Sequence, residues 1–154
     1  VKEGTSCLIL QSGLPSNCWD DAMKCFCFTR NVADILSIGC TAYQARFGKE
    51  FKGHLVPFGA MLECMPLRES KVVKDHPLGP KTKKGIFMGY HCHPGGEWAN
   101  DYYILDAEKL HHADETRACQ PLRYRDIAVP DHFSFPVAQG RIQQPEDSVN
   151  EKVP

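Results

Sequence analysis

The sequence contains no apolar run approaching the roughly 18 residues that a membrane span requires, and its first residues do not resemble a signal peptide. It has no glycine-rich phosphate loop and no Gly-x-Ser-x-Gly elbow, so the common short signatures of nucleotide binding and serine hydrolysis are missing. It has almost no excess of charge: the net value of −1 selects no partner by itself. Its eight cysteines (7, 18, 25, 27, 40, 64, 92 and 119) lack the paired spacing of a zinc knuckle. With 154 residues, 42% of them apolar, the chain can bury a core without a disulfide framework. The cysteines are therefore expected to be reduced thiols, mostly buried, in an intracellular protein. The chain does not open on methionine, and Cys7-Leu8-Ile9-Leu10 reads as the apolar end of an element already under way, which predicts a piece of a longer chain.

What is present divides by periodicity. Residues 5 to about 33 follow a helical period, interrupted where Gly13 and Pro15 stop one helix and Ser16 or Asn17 can cap the next. Asp20 and Asp21 suit the first turn of that second helix, and its spacing predicts a core face of Trp19, Met23 and Phe26. Thr41 with Gln44 forms a capping box for a short third helix that Gly48 ends. Beyond Gly53 the period becomes 2. Phe58, Ala60, Leu62 and Cys64 predict a strand with one buried face, Ile86 to His91 a second strand apolar on both faces, and Trp98 to Leu105 a third. Gly89 within the second strand predicts a bend, and a last short segment is expected at Leu110 to Ala113. From about residue 130 periodicity fades, which predicts a mostly disordered linker. The expected class is α+β, with helices over 1–50, a small antiparallel β-barrel over 51–125 and a tail over 126–154.

Charge is segregated within the β-part. Arg68 to Lys84 carries six basic residues (Arg68, Lys71, Lys74, Lys81, Lys83 and Lys84) against two acids, a net +4, and Glu97 to Arg117 is the mirror image at −4. Lysines on a loop can neutralise phosphates without exacting geometry, so the basic segment is the candidate nucleic-acid contact. The same run also suits a solvated loop that stays off the core. His91 and His93 flank Cys92, and His111 and His112 follow one hairpin later, but zinc needs four such ligands to converge and the spacing fits no familiar pattern. A thiol–imidazole pair from Cys25 or Cys92 with His91 or His112 lacks a third orienting residue. Asp20, Asp21 and Asp34 suit capping and a solvated face better than a metal site. No catalytic residue is assigned.

The order of these pieces resembles the Ty1/copia-type retrotransposon Pol polyproteins. "SGLPSNCWDDAMKCFCFTRN" is similar to the stretch closing the integrase core, matched at Leu14, Pro15, Trp19, Ala22 and Asn31. "GCTAYQARFGKEFKG" is similar to the element that follows, matched at Thr41, Tyr43, Gly48 and Lys49. "VPFGAMLECMP", "KKGIFMGYH" and "YYILDAEKL" resemble successive strands of the SH3-like barrel after that core, with Phe58-Gly59 and Gly85 to Tyr90 the most recognisable runs. The resemblance covers about residues 7 to 125. It departs at Val32, Ala42 and Gln44, and at Arg117-Ala118-Cys119, where arginine-aspartate-valine is usual.

The resemblance implies the C-terminal rim of an integrase core, an SH3-like module and a linker, contributing DNA binding and assembly to integration without catalysing alone. The family's two aspartates and one glutamate, which hold divalent Mg or Mn for strand transfer, would lie upstream of Val1, so no cofactor is expected in this stretch. Glu3 lacks the arginine-rich turn that follows the family glutamate and receives no role. Expected partners are DNA (element ends and target), other Pol regions and further copies within a full integrase, with no membrane. The expected location of the parent polyprotein is the virus-like particle or nucleus. A protein-interaction module using Trp98, Tyr102 and Tyr103 as an aromatic face is the alternative.

Overall fold

Two residue types decide the helical half: the glycines that stop helices and the small residues that let helices approach. Residues 1–65, 82–107 and 120–140 are described by the structure, a computed structural model. Helix α1 (Lys2–Ser12) ends on Gly13, left-handed at φ 71°, whose N–H donates to the Ile9 carbonyl. The buried Ser12 hydroxyl donates to the same carbonyl at 3.0 Å and accepts from the Leu14 N–H at 3.2 Å, so this helix end is satisfied inside the core. A 3-10 turn (Ser16–Cys18) leads into α2 (Trp19–Ala33), and neither Ser16 nor Asn17 supplies a side-chain cap. Helix α3 (Ala42–Phe47) is capped as its sequence predicts: the Gln44 N–H donates to Thr41 Oγ1 at 3.1 Å, and Gly48 closes it at φ 70°.

Helix α2 turns a different face to the core from the predicted one. Ala22, Cys25 and Phe28 are buried, whereas Trp19 is 56% exposed. The helix carries two apolar stripes, and the sheet meets the one with the smaller residues at its start. Phe26 of the other stripe lies over Gly4 of α1, so it serves the helix–helix contact.

The β-part is a single antiparallel sheet in the order β4-β3-β2-β1-β5, built from β1 (Met61–Cys64), β2 (Lys83–Cys92), β3 (Trp98–Asp106), β4 (Leu122–Tyr124) and β5 (Ile127–Ala128). The class is α+β. Among the described residues the sheet is open, with β4 and β5 as its edges. The expected segment at 110–113 lies outside the described residues.

Strand β2 is central and buried on both faces from Gly85 to Tyr90, as its unbroken apolar run predicts. The bend at Gly89 is present: φ is 145°, and the pairing with β3 slips between Phe87 and Gly89. In a regular strand Phe87 and Tyr90 would face opposite sides. The extra residue brings them together, with ring centroids 5.0 Å apart. Gly59, at φ 81°, lies so close to Ser12 that a Cβ would stand 2.2 Å from the serine Cβ. The Phe58-Gly59 pair is thus where sheet and first helix touch.

The core is continuous from helices to sheet. Phe28 of α2 stacks on Tyr90 at 4.6 Å, Phe51 meets Phe28, Tyr90 and Trp98, and Trp98 meets Tyr102 at 5.2 Å. The aromatic hydroxyls hold the connecting backbone. Tyr90 Oη accepts from the Val56 N–H and donates to the His54 carbonyl, and Tyr102 Oη accepts from the His54 N–H. The 49–56 stretch, read from sequence as a boundary, is therefore clamped to β2 and β3.

The segment after residue 126, predicted to be a mostly disordered linker, is ordered structure as far as it is described. It contributes β5, then Val129, Phe135 and Val137 pack on the core, and Pro136 is fully buried. The Ser134 carbonyl accepts from the Met61 N–H at 2.9 Å, and Ala138 sits against Gly13. This strap follows neither strand nor helix period, so its sequence gives no periodic signal.

Candidate functional site

Of the six predicted nucleic-acid contacts, Arg68, Lys71, Lys74 and Lys81 lie outside the described residues, while Lys83 and Lys84 open β2. The strand's alternation separates these two. Lys83 stands opposite the buried Cys64, and its ammonium lies 3.3 Å from the Asp106 carboxylate, whose side chain is 9% exposed. Lys84 stands opposite Glu63 on the other face and is exposed. Lys83 is thus committed to an internal ion pair of the sheet, and Lys84 is the described lysine of the run that faces solvent.

The aromatic residues proposed as a partner face are occupied. Tyr102 is buried and Trp98 packs between Phe51 and Tyr102, with its indole N–H donating to the Asp101 carbonyl at 2.9 Å. Tyr103 bonds to His91 at 2.7 Å. The three do not form an open aromatic surface. Among the described residues no group of three or more His, Cys, Asp and Glu side chains could hold a metal ion. His91 is engaged by neighbours, His93 is exposed in the hairpin, and His111 and His112 lie outside the described residues.

The carboxylates near α2 make surface pairs, Asp20 with Lys24 and Asp34 with Arg30, each at 2.9 Å and four residues apart. They occupy a solvated face, as their positions predict. Cys7, Cys18, Cys25, Cys27, Cys40, Cys64 and Cys92 form no disulfide, and of these Cys25 and Cys64 are buried and Cys7 is exposed. Burial pushes the Cys25 thiol up to about 12 and the Cys64 thiol up to about 11. A thiolate nucleophile is therefore disfavoured at both.

A groove of about 670 Å³ runs between α2 and the β2–β3 face, bordered by Asp21, Lys24, Cys27, His91, Tyr103 and Gln120. Its size would admit a small ligand. Its charges are of both signs: Lys24 is held by Asp20, and burial followed by Asp20 raises the Asp21 carboxyl above its ordinary range. At its rim three strands contribute one chain of contacts, with Arg123 Nη1 3.2 Å from His91 Nε2 and His91 Nδ1 2.7 Å from Tyr103 Oη. Sequence reading singled out His91 and Tyr103 for other reasons and missed Arg123, which reaches them only through the Tyr103–Arg123 register of β3 and β4.

Among the described residues no helix is long and apolar enough to cross a membrane. No family model, curated protein or solved structure matches the chain.

Proposed function

We propose that the chain is a non-catalytic part of a Ty1/copia-type integrase region, joining the rim of the catalytic core to an SH3-like module that binds DNA and supports assembly. The observation that carries this reading is the junction at Lys83: a segment of net +4 runs directly into the central strand, which is fixed on both faces. Lys84 is exposed on that frame, and a basic side chain so anchored meets a phosphate at little ordering cost.

Further support comes from strand order. In a simple meander β5 would lie beside β4, whereas here it pairs with β1 at the opposite edge, a connection that a small barrel would also use. The bend at Gly89 lets one long strand serve both halves of such a wrap. Phe58-Gly59 sits at the contact between helices and sheet, and Gly85 to Tyr90 is the central strand, so the two most recognisable runs occupy positions that organise the fold. The assembly role is supported by Ile35, Leu36 and Ile38, which are exposed together in the loop closed by the Ile35–Thr41 bridge.

Filter binding to duplex DNA across a salt series tests the proposal. Arg68, Lys71, Lys74, Lys81 and Lys84 at five phosphates give a log–log salt slope of about −4.5. Lys81→Ala with Lys84→Ala should remove about 1.8 of that slope, by the same counterion arithmetic. Lys83→Ala should leave the slope alone and lower stability, because the nearly buried Asp106 carboxylate loses the Lys83 ammonium 3.3 Å away. Affinity indifferent to salt, or a slope untouched by the double substitution, removes the DNA-binding reading.

A further inference from the structure

We propose that His91 is a proton-controlled latch for the edge strand β4, holding it to the sheet while neutral and releasing it when protonated. The Arg123 guanidinium has donors and no acceptor, so its 3.2 Å contact with His91 Nε2 requires a lone pair on that nitrogen. His91 is then the neutral Nδ1–H tautomer, and Nδ1 donates to Tyr103 Oη at 2.7 Å. One ring thus ties β2, β3 and β4 together on one face of the sheet.

Strand β4 is a short edge strand with few backbone ties of its own. It has three residues paired with β3, and Leu122 at its start is half exposed. Protonation of Nε2 replaces an acceptor with a donor in front of a guanidinium, so the hydrogen bond is lost and two positive charges face each other. The other charged groups around the ring are of both signs and mostly paired with one another. On β3, Asp101 stands opposite His91 but lies 3.5 Å from Arg125. Across the groove, α2 presents charges of both signs, Lys24 paired with Asp20 and the partly buried Asp21 beside it. Gln120 and Pro121, which immediately precede β4, form part of the groove wall, so release of β4 opens the groove.

The test is nitrogen-15 NMR of histidine-labelled full chain, with amide exchange at pH 7.5 and pH 5.5. At pH 7.5 His91 should show the Nδ1–H tautomer. Between the two pH values, protection of the β4 amides, corrected for intrinsic exchange, should fall about tenfold, the size of one charge-assisted hydrogen bond. Amides between β2 and β3, such as those around Ile86 and Ile104, should keep theirs. In His91→Gln the β4 protection should no longer depend on pH, and Arg123→Met should weaken it equally at both values. An Nε2–H tautomer in the wild type overturns the proposal even where a variant fails to fold. So does β4 protection that is unchanged, that falls in step with β2–β3, or that falls undiminished in His91→Gln.

Discussion

At the scale of single residues, burial governs chemistry more strongly than residue type. Cys25 is 2% exposed, and its thiol is pushed up to about 12 chiefly by that burial, with the Thr29 hydrogen bond opposing the shift. Because the folded value lies above the ordinary 9.0, the contribution to stability is complete below pH 9 and is lost as pH rises toward 12. In that window the folding constant should fall roughly tenfold per pH unit from this thiol alone. Cys64, pushed up to about 11, adds to the same decline. Urea titrations at pH 8, 9.5 and 10.5 should show a shallower decline in Cys25→Ala than in the wild type; equal declines would mean that the thiol is not shielded. Residue roles were legible where neighbours in sequence decide them, as with Thr41 capping Gln44. They were not legible on α2, where periodicity allows two apolar stripes and only the sheet's position selects Ala22, Cys25 and Phe28.

At the scale of elements, pattern predicts strands and misses straps. β2 announced itself by a doubly apolar run, and the bend at Gly89 by a glycine within it. The segment 129–140 has no such pattern, yet it covers β1 and reaches Gly13. Pro136, Phe135 and Val137 lose most or part of their exposure there, which is worth about 3 kcal/mol by area. A chain ending at Pro130 should therefore unfold at clearly lower urea than one ending at Gly140. Identical midpoints would show that the strap stabilises nothing. The basic run illustrates a second limit. Lys83 and Lys84 are adjacent in sequence, but strand alternation sends one to Asp106 and the other to solvent.

At the scale of the whole molecule, the helices and the sheet share one aromatic core. Phe28, Phe51, Tyr90 and Trp98 cross the position where the change of period suggests a boundary. Folding should therefore be one cooperative step. The two tryptophans report on it separately, Trp19 from α2 and Trp98 from β3. Fluorescence of Trp19→Phe and of Trp98→Phe should give urea transitions coincident with far-ultraviolet circular dichroism. Separated midpoints would mean that the two halves are independent units.

Composition and period determined the α+β class, the central strand, the bend at Gly89 and the caps at Thr41 and Gly48, because each depends on residues within a few positions of one another. The tertiary structure alone decided which stripe of α2 is buried, which of Lys83 and Lys84 faces solvent, and that Arg123 meets His91. Those outcomes depend on strand register and on surfaces brought together across tens of residues, and no local preference encodes them.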